Sequence, residues 1–136
     1  MTTGPERESQ VKLSANFSLW EVVCPCCGKS KHDNRLIIAL EQLRELGCEY
    51  RKEGTPITVL SGVRCSTWNS RCGGVPQSQH LVGRAADIVM RGLHPYEMES
   101  LAEQVWLFSH GGIGVYPHRG FIHVDVRLGG SARWRG

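Results

Sequence analysis

The sequence predicts an α+β fold with a small, mostly antiparallel central sheet flanked by helices. Three observations support this prediction. Apolar residues recur at helical spacing in two segments, short strand-like runs lie between and after those segments, and the last two runs are separated only by a tight turn. No internal repeat is present, and a length of 136 residues suits one domain.

One short and two longer helices are predicted from apolar spacing and capping signals. Ser18 and Glu21 have the spacing of a capping box, which predicts a short helix beginning there. A longer helix begins at Asn34 and is predicted to end at Gly47, because glycine is common just past a helix end. Another helix begins at Pro95, which suits a first helical turn. Its predicted core face comprises Met98, Leu101, Ala102, Val105, Trp106 and Phe108.

Four strands are predicted from runs rich in apolar and β-branched residues. They are residues 57–60, 85–90, 114–116 and 121–126. The last two would form a hairpin, because Pro117 and Gly120 favour a turn between them. Residues 65–79 are predicted to be a loop, since a glycine pair and Pro76 interrupt any regular pattern.

Charge and length exclude several classes of protein. The formal net charge of +3 is too small for the dense basic stripe of a nucleic-acid-binding surface. No apolar run approaches the roughly 18 residues that a membrane span requires, and the first residues lack the apolar segment of a secretory signal. We therefore expect a protein made in the cytoplasm, with a flexible leader over residues 1–12, a domain over residues 13–136, and a monomeric state favoured.

Six histidines and six cysteines are many for so short a chain, and they indicate metal or redox chemistry. The strongest motif is Ser-Gln-His-Leu-Val-Gly-Arg-Ala-Ala-Asp at residues 78–87, followed later by His123-Val-Asp125. Zinc accepts imidazole and carboxylate ligands, and a catalytic zinc keeps one position open for water. His80, Asp87 and His123 would supply two imidazoles and one carboxylate. They are therefore the predicted metal ligands.

Three motifs together resemble those of the zinc D-alanyl-D-alanine carboxypeptidases. They are Ser-Gly-Val-Arg at residues 61–64, the motif at 78–87, and Phe-Ile-His-Val-Asp at 121–125. The superfamily includes murein endopeptidases, vancomycin-resistance dipeptidases, phage endolysins and the Hedgehog signalling domain. The sequence most resembles the short bacterial and phage branch, from about residue 16 to the C-terminus. This resemblance implies a Hedgehog/DD-peptidase-like fold in which His80, Asp87 and His123 hold Zn2+ on the central sheet.

The general base departs from the pattern of this superfamily. Many relatives carry Glu, Asp or His two or three residues before the last zinc ligand, where this chain has Phe121 and Gly120. Neither residue can transfer a proton. Asp125 lies two residues after His123 and would share its face of the strand. Either it is the catalytic base or it orients a ligand imidazole, and His118 is a third candidate for the base.

Arg64 and Ser78 are the predicted substrate-binding residues. Arg64 stands where relatives bind the carboxylate of the substrate, and a planar guanidinium can hold a carboxylate through two hydrogen bonds. The alternative for Arg64 is a surface salt bridge. Ser78 would either hydrogen-bond near the substrate or hold its loop. Tyr116 would either form part of the pocket wall or serve only in packing.

The six cysteines have no decisive pattern. They are Cys24, Cys26, Cys27, Cys48, Cys65 and Cys72. Cys24 and Cys27 form a single Cys-x-x-Cys, which alone is a weak zinc or redox signal. Cys65 and Cys72 flank the predicted loop, which a disulfide or a metal shared with the N-terminal turn could pin. Reduced thiols are favoured, while a disulfide and a second, structural zinc stay open.

The resemblance implies a zinc peptidase that hydrolyses D-amino-acid-containing bonds in the stem peptides of peptidoglycan. It would act as a carboxypeptidase or an endopeptidase, and a phage or prophage endolysin released by a holin fits the small domain. There are two alternatives: a non-catalytic zinc-binding module, which Hedgehog domains illustrate for this fold, and a phage structural protein. The bond cleaved and a bacterial or phage origin stay open.

Overall fold

The computed structural model describes residues 11–136. Residues 1–10, which make up most of the predicted leader, lie outside the described residues. The Leu19 backbone N–H donates a hydrogen bond of 2.8 Å to the carbonyl oxygen of Val11. The last part of the segment predicted as a leader therefore contacts the domain.

One five-stranded sheet forms the centre of the domain. Its strands are β1 (Ile57–Ser61), β2 (Ala85–Met90), β3 (Gly112–Tyr116), β4 (Phe121–Asp125) and β5 (Ala132–Arg135). Their order in the sheet is β1-β2-β4-β3-β5, and every neighbouring pair is antiparallel except β3 and β5. The predicted α+β class with a mostly antiparallel sheet is confirmed. All four predicted strands are present, whereas β5 is a strand that the sequence did not predict.

Four α-helices accompany the sheet in the described part of the chain. They are α1 (Asn34–Arg51), α2 (Ser66–Arg71), α3 (Pro95–Ala102) and α4 (Trp106–Ser109). Short 3-10 segments cover Leu19–Glu21 and Gln79–Val82. The first of them follows the predicted capping box, since the Ser18 backbone N–H donates to the Glu21 carboxylate at 2.6 Å. Within residues 11–136, no helix has the length and apolar character needed to cross a membrane.

Helix α1 continues one turn beyond its predicted end at Gly47. This glycine is buried within the helix, and a Cβ there would press on Met90 and Thr55. The helix ends at Arg51, after which Lys52 adopts a left-handed conformation with a φ of 59°. The predicted end was wrong because close packing, and not a helix terminus, requires the glycine.

The single helix predicted to begin at Pro95 is two helices, α3 and α4, with a break at residues 103–105. Five of the six predicted core residues are buried: Met98, Leu101, Ala102, Val105 and Phe108. Trp106 was wrongly placed in the core, since it is 66% exposed and its ring stacks on His110. The prediction counted one continuous helical spacing from Pro95 to Phe108. Because the chain leaves the helix at residues 103–105, that spacing assigns Trp106 to the wrong face.

The loop predicted over residues 65–79 contains helix α2. This helix has six residues, of which only Asn69 is buried, so no apolar periodicity indicates it. Cys65 caps its beginning, because the cysteine sulfur accepts a hydrogen bond of 3.4 Å from the Trp68 backbone N–H. The loop prediction was therefore wrong for the first part of the segment, which a polar helix occupies.

The two faces of the sheet carry different kinds of residue. Residues paired across neighbouring strands point to the same face, so Asp87, His123 and Gly114 share one face. The opposite face packs with α1 and α3 in the core, and its buried strand residues are Ile57, Ala86, Ile88, Met90, Ile113, Val115, Ile122 and Val124. A register shift in β1 between Val59 and Ser61 places Ser61 opposite Asp87. The sheet therefore separates the core from the polar face.

Candidate metal centre

The three predicted metal ligands meet on the polar face of the sheet. Asp87 of β2 and His123 of β4 are direct cross-strand partners, and His80 lies in the 3-10 segment that precedes β2. Asp87 Oδ1 lies 3.2 Å from His80 Nε2 and 3.1 Å from His123 Nδ1. One ligand atom from each residue lies within 4.8 Å of the other two, which is the arrangement of a candidate metal site.

The other nitrogen of each imidazole is already bound. His80 Nδ1 lies 2.8 Å from the carbonyl oxygen of Gly62, which can only accept, so this nitrogen carries the proton. His123 Nε2 lies 2.7 Å from Asp125 Oδ2. When both rings are neutral, as metal ligation requires, each directs a lone pair towards Asp87 Oδ1. Three acceptor atoms that face one point suit a cation, and two imidazoles with one carboxylate are a donor set that zinc binds.

Burial and neighbouring charges shift the pKa values of Asp87 and His123 in opposite directions. Burial disfavours the ionised form of Asp87, but interactions with His123 and His80 outweigh it and hold the pKa of Asp87 well below its usual range. Burial also lowers the pKa of His123, but Asp125 and Asp87 outweigh it and raise that pKa. Without a metal, these contacts favour a protonated His123 between two carboxylates. Metal binding would therefore release a proton.

Asp125 is fully buried beside His123. Its carboxylate accepts hydrogen bonds from the Gly112 backbone N–H at 2.8 Å, from the Arg127 backbone N–H at 3.1 Å, and from the Arg127 guanidinium at 2.9 and 2.7 Å. A Cβ on Gly112 would collide with it, so this glycine makes room for the carboxylate. These contacts favour the orienting role over the role of catalytic base. His118, the third candidate for the base, is exposed.

Local interactions fix the segment that carries His80. The Ser78 hydroxyl accepts a hydrogen bond of 3.2 Å from the His80 backbone N–H, so Ser78 holds its own loop. The segment ends at Gly83, where φ is +70° and where a Cβ would collide with the backbone of Lys31 and His32. Glycine is therefore required there both by its backbone conformation and by close approach.

Arg64 is buried beside the candidate ligands and is 8% exposed, so a surface salt bridge is the wrong description of it. Its guanidinium donates to Asp87 Oδ2 at 3.0 Å, to Ser61 Oγ at 3.0 Å and to Asn69 Oδ1 at 3.3 Å. Asp87 therefore directs one oxygen to the two histidines and the other to Arg64. Three of the five N–H donors of Arg64 are used in these bonds.

A cavity of about 780 Å³ opens over the three candidate ligands. Arg64 and Ser78 line it, and so do Tyr116 and Trp134. Trp134 lies on β5, with its ring centroid 4.8 Å from that of His123, and its indole N–H donates to the Tyr116 hydroxyl at 2.8 Å. Sequence reasoning missed Trp134.

A signal for this close approach was present in the sequence. Gly112 and Gly114 alternate along β3 and so face the same side of the sheet, where a Cβ on Gly114 would collide with the Trp134 ring. Glycine inside a strand often marks a place where another group comes close to the backbone.

The profile of the family described as Peptidase M15 matches residues 15–125. The chain belongs to the peptidase M15 family. This match confirms the superfamily resemblance drawn from the motifs at residues 61–64, 78–87 and 121–125. The three candidate ligands and Arg64 all lie within the matched part of this M15 chain.

A curated relative is the "Probable peptidoglycan L,D-endopeptidase MepK" of Haemophilus influenzae (strain ATCC 51907 / DSM 11121 / KW20 / Rd). It is 33% identical to this M15 chain over 85 residues, which are 59% of this chain and 43% of the relative. The alignment therefore spans less than half of the relative's length.

The cavity of this M15 chain offers few groups that can accept a proton. Among the described residues that line it, the only carboxylate is that of Asp87, and the only imidazoles are those of His80 and His123. All three belong to the candidate metal centre. Tyr116 contributes a hydroxyl to the wall and stacks on Phe121, so it combines the two roles considered for it.

Proposed function

We propose that the chain is a zinc metallopeptidase that hydrolyses peptide bonds next to D-amino acids in peptidoglycan stem peptides. The observation that carries the proposal is the convergence of His80, Asp87 and His123 under a cavity in a chain of the M15 family. The Haemophilus relative is named as a probable L,D-endopeptidase, which directs the proposal towards cleavage between an L- and a D-residue within the peptide. Action as an endolysin released by a holin is the biological setting that we propose.

His80, Asp87 and His123 would hold the zinc ion. When bound, zinc supplies a Lewis acid that polarises the scissile carbonyl and lowers the pKa of a bound water. Asp125 acts through His123, since it fixes the ring with Nδ1 facing Asp87. Arg64 acts in the same way on Asp87, whose Oδ2 it holds at 3.0 Å.

Substrate contacts are assigned to the groups that line the cavity. Arg64 has two N–H donors beyond those it gives to the protein, and they suit a carboxylate or carbonyl oxygen of the peptide. The Tyr116 oxygen accepts the Trp134 indole N–H, which leaves the phenol proton free to donate to the substrate. The Trp134 ring excludes water from one side of His123. Ser78 is a further candidate for substrate binding at the rim.

The test compares wild type with His80→Ala on purified peptidoglycan supplied with zinc. The products are identified by mass spectrometry of the soluble muropeptides, which shows whether an internal or a terminal bond is cleaved. We expect wild type to release peptides and His80→Ala to fall to background. His110→Ala is the matched control, because His110 is exposed and stacks on Trp106 away from the cavity. Equal release by wild type and His80→Ala would refute the proposal.

A non-catalytic zinc-binding module is the second candidate. The observation that favours it is the absence, among the described cavity residues, of a carboxylate or imidazole outside the proposed ligand set. Such a module would bind zinc and muropeptides but leave the peptides intact. The same digestion, run beside a muropeptide-binding measurement, therefore separates the two candidates.

A further inference from the structure

A second group of metal-binding side chains lies outside the cavity. The sulfur atoms of Cys24, Cys27 and Cys65 all lie within 4.8 Å of one another. Cys24 and Cys27 belong to a tight turn in which the Gly28 N–H donates to the Cys24 carbonyl at 2.8 Å, with a φ of +74° at Gly28. Cys65 comes from the far side of β1, immediately before helix α2. The group therefore joins two segments that are distant in sequence.

Two backbone contacts and one hydrogen bond to a thiol hold these two segments together. The Val63 N–H donates to the Val22 carbonyl at 2.8 Å, and a Cβ on Gly62 would collide with the backbone of Val22. The Cys65 N–H also donates to Cys24 Sγ at 3.3 Å. The glycine and these hydrogen bonds press the turn against the end of β1. The three sulfurs are therefore held near each other by the fold.

The spacing of the sulfurs suits a tetrahedral ion. A Zn–S bond of about 2.3 Å places two sulfur ligands of a tetrahedral site about 3.8 Å apart, so side-chain shifts of about 1 Å or less would complete the site. Thiolate ligands select zinc over the hard cations, and Cys-x-x-Cys is a common spacing in structural zinc sites. Besides the Cys65 N–H, one further backbone N–H points at this group, since Trp68 N–H donates to Cys65 Sγ at 3.4 Å.

We propose that Cys24, Cys27 and Cys65 bind a structural zinc ion that is separate from the candidate catalytic centre. Cys26 is exposed in the same turn but lies outside this group of three, so either a water or Cys26 after a side-chain rotation would supply the fourth ligand. The ion would tie the N-terminal turn to the peptide that holds Arg64, because Arg64 and Cys65 are consecutive. It would thereby support the contact between Arg64 and Asp87.

The first experiment counts zinc in the full-length protein after purification with zinc and removal of loosely bound metal. We expect about two zinc ions per chain in wild type and about one in the double variant Cys24→Ser/Cys65→Ser. The double variant His80→Ala/His123→Ala should also keep about one. Cys48→Ser is the matched control, because this cysteine lies on helix α1 outside the group, and it should keep two.

The second experiment needs no variant and so covers the case in which the cysteine variants fail to fold. Wild type is loaded with Co2+, and its near-ultraviolet absorption is recorded. Thiolate ligation gives a sulfur-to-cobalt charge-transfer band that imidazole and carboxylate ligands cannot give. We expect this band in wild type and in His80→Ala/His123→Ala, so its presence does not depend on the proposed peptidase activity.

Three results would overturn the proposal. The first is a wild-type content of one zinc that the cysteine double variant retains. The second is a cobalt-loaded protein without the charge-transfer band. The third is a non-reducing peptide map of the denatured protein that shows two of these three cysteines joined in a disulfide. Loss of peptidase activity alone would overturn only the proposed function, because neither the zinc count nor the cobalt band measures turnover.

Discussion

His123 Nε2 lies 2.7 Å from Oδ2 of Asp125, a carboxylate with no exposed surface. This contact occupies one nitrogen of the imidazole and leaves the other facing Asp87. A buried carboxylate in this position fixes both the orientation and the tautomer of a ligand histidine and raises its basicity. The pair therefore prepares one position of the candidate metal centre before any ion arrives.

Asp125→Asn tests this positioning role. The amide cannot accept the same hydrogen bonds from His123 and Arg127, so we expect zinc affinity at the catalytic centre to fall about 10- to 100-fold. Competition with a chelator measures the affinity, and turnover at saturating zinc should recover most of its wild-type value. Glu103→Gln, which removes a carboxylate bonded to Arg133 on the surface, should leave the affinity unchanged. Zinc affinity equal to wild type together with lost turnover would instead identify Asp125 as the catalytic base.

Arg64→Lys tests the proposed contact with substrate. A lysine ammonium keeps the charge, but its three N–H donors cannot hold Ser61, Asn69 and Asp87 and still leave two for a peptide. We expect KM for a muropeptide substrate to rise about tenfold or more at saturating zinc, which corresponds to about 1.4 kcal/mol. Arg91→Lys, an exposed arginine, is the control. An unchanged KM would argue against the substrate role.

Gly83→Ala tests the close approach that places His80. A left-handed backbone costs a residue with a Cβ about 1–2 kcal/mol, and the collision with the backbone of Lys31 adds to this cost. We expect a total loss of about 3 kcal/mol in the free energy of unfolding, measured by urea denaturation. Gly129→Ala is the matched control, because φ at Gly129 is also positive, at +87°, but the space around it is open. This variant should lose only about 1 kcal/mol of unfolding free energy. Equal losses in the two variants would contradict this account.

Glu41→Gln tests a carboxylate that attaches the N-terminal segment to helix α1. Glu41 accepts hydrogen bonds from the Ser14 hydroxyl at 2.6 Å and from the Asn16 backbone and side-chain N–H groups at 2.8 and 2.7 Å. Burial disfavours its charge, but these bonds outweigh burial and lower the pKa of Glu41. At pH 7 we expect the variant to be less stable by about 1 kcal/mol, because the charged acceptor is lost.

The lowered pKa of Glu41 also predicts how the stability difference between wild type and Glu41→Gln depends on pH. A carboxyl whose pKa is lower in the folded state stabilises the protein above its unfolded pKa, which is about 4.3 for glutamate, and this contribution disappears as the pH falls through the folded value. The stability difference between wild type and Glu41→Gln should therefore be complete at pH 6 and shrink below about pH 4. Urea denaturation of both proteins at each pH measures it. Metal loss in acid affects both proteins equally, so a difference that grows in acid would contradict the assignment.

The metal centre could be predicted from sequence because its ligands lie in short local motifs. His80 and Asp87 are seven residues apart, and Asp125 lies on the same strand face as His123 by simple alternation. The two sets of residues meet because β2 and β4 pair directly. Which role Asp125 takes could not be read from the sequence, because that depends on the Gly112 N–H and on Arg127.

Strand β5 could not be predicted because few of its local features are typical of a strand. Its four residues, Ala-Arg-Trp-Arg, include no β-branched residue and alternate between half-buried and exposed. It pairs with β3 in the parallel direction, and this contact is not implied by any neighbouring turn. Trp134 therefore reaches the cavity through a tertiary contact that only the fold reveals. Helix α2 was missed for a related reason, since its sequence is almost entirely polar.

The alternation along β4 has a consequence for how variants of this protein would sort in a mutational scan. Of the odd-numbered positions, Phe121 and His123 line the cavity and Asp125 is the carboxylate that supports His123, whereas the even-numbered Ile122 and Val124 face the core. Conservative changes at odd positions should leave a folded protein with altered chemistry. Changes at even positions should reduce the yield of folded protein. The protein that does fold should keep its wild-type chemistry. Whether a position in β4 is odd or even thus predicts whether its variants change the chemistry of the site or the yield of folded protein.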